Sequence, residues 1–450
     1  MDFFREIRIV IDNLQSLIFN FQILINAMIL FSQGSAETEF TVEEIRDALF
    51  GCFDQLGDRK RVAAVPPDFT RYHSRSGLLT EMAWEYYGKR LADVLPATGT
   101  HIPMSREEIG IMFGRVPEGL FRVHDYRDGV TTLGEVPDTY VREVSGRIVD
   151  YGIPIQLNRL LAGGRHDLIL SIGQVVPHEV IGMAGYNKNL FVGTGGAETI
   201  NRTHFLGAAY GMERMMGRTD TPVRKILIYG SEHFARNLPI VYVLTVVGKN
   251  DGGKPVIRGL FIGDDTECFR RAAELSLKVN IQILDAPIRK AVVYLDPGEF
   301  KSTWLGNKSI YRTRMAMADG GELIILAPGL ERFGEDKTID RLIRKYGYAG
   351  TAAVNEAVRM QADLQESLTT AAHLIHGSSE DRFTITYCPG GLSRKEIESV
   401  HYLYEDLDSM MRRYNPDVLK EGFNTMADGE EIYFISNPAM GLWACRGRFE

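Results

Sequence analysis

The sequence predicts an α/β protein built from two α/β domains with mainly parallel sheets. Three observations lead there. Short apolar runs such as Arg61-Val-Ala-Ala-Val65 and Asp167-Leu-Ile-Leu-Ser-Ile172 read as strands covered on both faces, the pattern of a parallel sheet. Helix-like stretches alternate with these runs, which is the rhythm of βαβ units. The chain has 450 residues, beyond the size at which one core usually stops growing, so two cores are expected.

Taken in order, residues 1–33 form an atypical apolar leader that need not belong to the fold. From Asn13 to Phe31 there is no charge, which superficially suits a membrane helix or a signal segment. Against that, Asn13, Gln15, Ser16, Asn20, Gln22 and Asn26 are costly in hydrocarbon, and the preceding residues mix acidic with basic side chains. A docked amphipathic helix and an appended leader are the other readings. The N-terminal domain is placed at 34–222, with its first helix starting at Thr41-Val-Glu-Glu44, where Thr41 caps and Glu44 closes a capping box. A strand at 61–65 stops at Pro66-Pro67 and delivers Asp68-Phe-Thr-Arg71. A second strand near 92–96 delivers the small-residue turn 97–100 and His101, and Ser105 with Glu108 opens the next helix. Residues from about 145 to 160 read as extended. The strand at 167–172 runs into Gly173-Gln-Val-Val-Pro-His178 and then a glycine-rich stretch.

The C-terminal domain is placed at 223–430. Ile226-Leu-Ile-Tyr229 and the apolar runs at 241–247 and 256–262 read as its first strands, with 268–279 as a helix packed on them. Residues 291–295 and 322–327 read as further strands joined by one long helix carrying Trp304 to Met317, and 339–421 is rich in helix. Residues 431–450 are a closing strand and tail with the option of returning to the N-terminal domain.

Composition excludes several classes. The chain has 51 basic and 59 acidic residues, a net charge of -8, 44% hydrophobic and 24% charged residues, which is an ordinary globular balance. No basic stripe with interleaved aromatics is present, so nucleic acid is not an expected partner. Cys52, Cys268, Cys388 and Cys445 are dispersed, as reduced thiols in a cytoplasmic chain are. No stable membrane partner is expected. Walker A, HExxH and GxSxG signatures are absent, and Gly193-Thr-Gly-Gly196 lacks the dinucleotide fingerprint.

The histidines carry more information. His101 and His178 each follow a strand and a turn, where side chains meet solvent or ligand, and a histidine there exchanges protons near neutrality. Either one is equally readable as a loop histidine bonded to a carbonyl. Lys188 sits in Gly185-Tyr-Asn-Lys188 among apolar neighbours; a desolvated amine becomes a nucleophile or attachment point, a solvated one is a surface lysine. His204 alone is a weak metal candidate, and His373 with His376 reads as a hydrogen-bonded interior pair. Arg71 and Lys308 suit a substrate carboxylate.

These motifs, with Gly99-Thr-His101-Ile-Pro-Met104, Glu198-Thr-Ile-Asn-Arg-Thr-His204 and Trp304-Leu-Gly-Asn-Lys308, resemble the nickel-pincer-dependent lactate racemase family, in order and spacing, over most of the chain from about Thr41. The resemblance implies a racemase or epimerase that inverts C2 of a 2-hydroxy acid, with the site in the cleft between the domains. It implies that Lys188 holds a pyridinium-derived nickel-pincer nucleotide covalently, that His204 binds its nickel, and that His101 and His178 are the two bases. Asp68 and Arg71 would lie beside cofactor and substrate, and Lys308 would bind the carboxylate. Enzymes that build the cofactor are then transient partners. The family glutamine three residues before Lys308 is Leu305 here, with Trp304 and Asn307 beside it, and Arg71 is followed by Tyr72, His73 and Arg75. That polar run favours a larger acid, such as an aldonic acid, over lactate. Lactate or another short-chain acid, an NAD-dependent oxidoreductase and a non-catalytic sugar-acid-binding protein are the alternatives.

Overall fold

The computed structural model describes residues 28–250 and 252–449. The apolar leader falls largely on residues 1–27, outside the described residues. Its last part does not: Ile29–Gly34 is a strand of the first sheet, antiparallel to Pro255–Gly263.

That sheet has six strands, in the order Ile29–Gly34, Pro255–Gly263, Ile240–Lys249, Leu168–Gln174, Val62–Val65 and Leu91–Val94. The last four run parallel. Their side chains alternate between two cores. Val62, Ala64, Leu168 and Leu170 pack with Ile45, Leu49 and Phe53 of the helix Val42–Leu56, which begins with the expected Thr41–Glu44 capping box. Ala63, Val65 and Ile169 face the other way, toward Leu190, Phe191 and Leu206. Both faces are thus dry, which is why these strands are apolar at every position.

The second sheet also has six strands, in the order Leu403–Tyr404, Phe383–Pro389, Met317–Ala327, Ile288–Tyr294, Glu431–Ile435 and Gly422–Thr425. All pairs are parallel except the last. The strand Glu431–Ile435 therefore stays in the second domain. The tail beyond it turns back: Leu442–Cys445 pairs with Ile281–Leu284, and Arg218 lies 4.0 Å above the ring of Phe449.

Three sequence expectations change. Ile226 to Tyr229 is not a strand but part of the helix Pro222–Phe234. Its buried residues Val223, Ile226, Leu227 and Gly230 repeat at helical spacing, with Thr221 as N-cap and Pro222 in the first turn. The strands Ile240–Lys249 and Pro255–Gly263 belong to the first sheet, so the division between sheets falls after Gly263 and not at residue 222. The long helix expected across Trp304 to Met317 is two single turns, Thr303–Gly306 and Lys308–Tyr311, before the strand Met317–Ala327.

The two halves are clasped beside the first sheet's carboxyl edge. The helix Leu368–His376 packs on the helix Ala197–Tyr210, where Thr369 donates from Oγ1 (2.6 Å) and N (3.2 Å) to Asn201 Oδ1. Among the described residues no helix is long and apolar enough to cross a membrane.

Candidate active site

Val62–Val65 lies between Leu91–Val94 and Leu168–Gln174, and all three are parallel. The segments after them leave the sheet side by side at its carboxyl edge, where open α/β sheets bind ligands. They carry Asp68, His101 and His178 to the wall of one cavity. Arg71, Glu179, Lys188 and His204 line the same cavity from the first domain, and Trp304, Leu305, Lys308, Tyr311, His373 and His376 close it from the second.

His101 and Asp68 form a pair. His101 Nδ1 donates to Asp68 Oδ2 at 2.6 Å, and Thr70 Oγ1 donates to Oδ1 at 2.5 Å. Burial alone would push the Asp68 carboxyl up, but the charge and hydrogen bond of His101, the Thr70 hydroxyl and Arg71 hold it below the ordinary carboxylate value. With its Nδ1 proton given to a carboxylate, the His101 ring turns the other nitrogen outward as an acceptor.

His178 is 4% exposed and its surroundings differ. Its Nδ1 accepts the backbone N–H of Val180 at 3.1 Å, and Glu179 Oε2 lies 3.7 Å from the same nitrogen. Burial drives the ring well below the ordinary histidine value; Glu179 opposes this, while Lys188, Arg71 and His204 add to it. Burial also disfavours the Glu179 carboxylate, yet His178, Arg312 and His376 hold it far below the carboxylate range. Glu179 was missed in the sequence. The available signal was a lone charge inside Val175-Val-Pro-His-Glu-Val-Ile-Gly-Met183.

Lys188 is seated by its neighbours. Asn187 Nδ2 donates to Ser231 Oγ (3.0 Å) and Asn189 Nδ2 to the Ile172 carbonyl (2.8 Å), so the chain on both sides is pinned to the scaffold. A π-helical turn, Asn189–Gly193, follows, a form that recurs at functional sites. Burial, then Arg71, lowers the Lys188 ammonium to about 8, against the pull of Glu179 and Asp68. Lys308 is lowered to about 8 for the same two reasons, with Glu299 opposing.

His204 Nδ1 donates to the Ile200 carbonyl one helical turn back at 2.7 Å. Nε2 is left with its lone pair, the tautomer and second partner that metal-binding histidines use. Burial lowers the ring to about 4, so it stays neutral and able to ligate. Among the described residues no group of three or more His, Cys, Asp or Glu side chains is placed to hold a metal. A metal here would take most of its ligands from a bound group and one from the chain. The free nitrogen of His204 and the desolvated amine of Lys188 fit a lysine-tethered, metal-bearing cofactor.

Not every predicted residue reaches this cavity. Tyr72, His73 and Arg75 are exposed. Tyr72 packs on Phe69 and Arg75 takes a left-handed turn at the helix start, while His73 lines an adjoining cavity that shares Arg71 and Lys308. Asn307 is fully buried, accepting from Tyr387 Oη (2.7 Å) and Tyr402 Oη (3.3 Å). His373 and His376 are not bonded to each other: His373 Nε2 pairs with Tyr348 Oη at 2.9 Å, and His376 Nε2 is buried without a partner.

The fold and this cleft define a two-domain α/β protein with a cavity lined by histidines, carboxylates and cations at its first sheet's carboxyl edge. Residues 28–215 match the lactate racemase N-terminal domain. A crystal structure of a Thermotoga maritima protein superposes with a TM-score of 0.78 at 24% identity, covering 91% of this chain and all of that one. The lactate racemase apoprotein from Thermoanaerobacterium thermosaccharolyticum superposes with a TM-score of 0.65 at 17% identity, covering 93% of this chain and 94% of that one. At these identities the likeness is one of fold. No curated protein matches the chain.

Proposed function

We propose that the protein racemises a short-chain 2-hydroxy acid, lactate before others, using a nickel-bearing pincer nucleotide tethered at Lys188. The observation that carries this reading is the convergence of two differently held histidines, His101 and His178, with two cations, Arg71 and Lys308, on one cavity. When bound, such a cofactor supplies a pyridinium ring that takes the α-hydrogen as hydride and returns it.

The chain's own residues do the rest. Lys308 and Arg71 attract the carboxylate and fix the acid in the cleft. A histidine on either side serves the hydroxyl of either hand of the acid, removing its proton and returning one after inversion. Asp68 stabilises the charge on His101 as the ring takes up that proton. His204 would hold nickel through Nε2. The cleft walls from both domains keep water from the reacting carbon.

The support for a short acid comes from the cavity and the family match together. The longer-acid expectation rested on Tyr72, His73, Arg75 and Leu305, and of these Leu305 alone lines the cavity. The test is protein co-produced with the cofactor-building enzymes, followed by intact mass, nickel content and exchange of the α-hydrogen over a panel from lactate to aldonic acids. A mass increment lost in Lys188→Ala, about one nickel per chain lost in His204→Ala, and fastest exchange with the short acids are expected. Folded protein that takes neither mass nor nickel would sink the cofactor reading, and exchange confined to aldonic acids would restore the larger substrate.

A further inference from the structure

This inference rests on the racemase reading and concerns how His178 is made usable. The two histidines are held differently at Nδ1. His101 Nδ1 faces a carboxylate, Asp68, at 2.6 Å. His178 Nδ1 faces the backbone N–H of Val180 at 3.1 Å. A backbone N–H only donates, so Nδ1 of His178 carries no proton in this arrangement, and the neutral ring has its proton on Nε2.

That tautomer is idle. To take the hydroxyl proton at Nε2, the ring must hold its proton on Nδ1. To give a proton back from Nε2, it must be protonated on both nitrogens. Both working states need Nδ1–H, and Nδ1–H cannot face Val180 N–H. The acceptor beside it is Glu179 Oε2, 3.7 Å away, a short side-chain movement from a hydrogen bond. Glu179 is itself kept charged by its setting, where the Arg312 guanidinium attracts it.

We propose that Glu179 is the positioning residue of His178: it accepts the Nδ1 proton in both working states, as Asp68 does for His101, while Val180 N–H holds the resting ring. Proton flow then balances. The substrate O–H bond breaks, an N–H bond forms at Nε2, the ring goes from neutral to singly positive beside the Glu179 carboxylate, and the reverse transfer restores it. Entry from the resting tautomer releases the Nε2 proton to water and takes one from water at Nδ1, with no net change in charge, and that Nδ1 proton then stays on the ring, facing Glu179, through both transfers.

The experiment is ¹⁵N spectroscopy of the imidazole rings in the full chain without cofactor, at neutral pH, with His178→Gln assigning the signal. Wild-type protein should hold a measurable fraction of His178 as Nδ1–H. Glu179→Gln should lose that fraction, and Glu179→Asp should regain part of it. In loaded enzyme, Glu179→Gln should lower kcat by about 100-fold or more with KM within about twofold, at unchanged nickel content. Should Glu179→Gln fail to fold, Glu179→Asp carries the test through an intermediate Nδ1–H fraction and kcat. Spectra identical in wild type and variants overturn the assignment. Because the spectra need neither cofactor nor substrate, they stand even if no 2-hydroxy acid turns over, which is how failure of the racemase reading would show.

Discussion

Lys188 and Lys308 come from different domains and are chemically alike in this cleft. Each amine is stripped of water and repelled by Arg71, and each falls to about 8 from the ordinary 10.5. For Lys188 the consequence is nucleophilicity: the free amine is abundant at mild pH, which the proposed attachment point would need. For Lys308 the same shift is a cost at rest that an incoming carboxylate repays by favouring the ammonium. A small acylating reagent, applied to protein without cofactor and read by peptide mapping, should therefore modify both with a midpoint near pH 8. Addition of the substrate carboxylate should protect Lys308 more than Lys188. Midpoints near 10.5 would mean that both amines are solvated and that burial does not govern them.

The elements place these residues through close backbone contacts. Gly99 N–H donates to the Gly193 carbonyl at 2.8 Å, which ties the turn before His101 to the π-helical turn after Lys188. A Cβ on Gly193 would sit 2.6 Å from the Ala97 Cβ, so Gly193→Ala has to push the two turns apart. A misplacement of that kind is expected to lower kcat by about 10- to 100-fold while the protein still folds, as a small shift of a catalytic group does; wild-type kcat in Gly193→Ala would show that the turns adjust freely. Such contacts explain what the sequence could and could not reveal. Capping boxes at Thr41 and Ser105 were readable because both partners lie within one turn. Asp68, His101 and His178 were readable because each follows an apolar strand. Ile226 to Tyr229 was misread because four apolar residues in a row fit either period, and the deciding neighbours, Val223 and Gly230, lie outside the run. In the stretch after Trp304, which forms single turns, Asn307 and Thr303 bond through their side chains to Tyr387 and Tyr348, contacts from about 45 to 80 residues away that no local pattern shows. Glu179 was hidden for a related reason, since beyond its neighbour His178 the groups that act on it, Arg312 and His376, come from the other domain.

At the scale of the molecule, the cleft is walled by imidazoles from both halves. His178 and His204 come from the first domain, and His373 and His376 from the second, on the helix that Thr369 ties to Asn201. Burial is the first cause of depression for all four rings, to about 4 for His204 and His376, about 3 for His373, and well below the ordinary 6.5 for His178. The unfolded chain takes up protons as pH drops through 6.5, and the folded protein refuses them until far lower. Unfolding free energy must therefore fall with acidification from about pH 6.5 to about pH 4.5, by at most about 1.4 kcal/mol per pH unit for each ring. Carboxylates such as Asp68, held below 3.8, contribute their own loss beneath that window, so the histidines can be read separately. Urea unfolding of the protein across this range should show a steep decline, and His376→Gln should reduce its slope by the equivalent of about one proton. His376 is the ring to replace because its Nε2 has no partner to lose. A wild-type profile that is flat across the window would mean that the rings accept protons inside the folded cleft, and the cavity would then have to be wet enough to solvate imidazolium, contrary to the dry setting that the proposed hydride transfer would need.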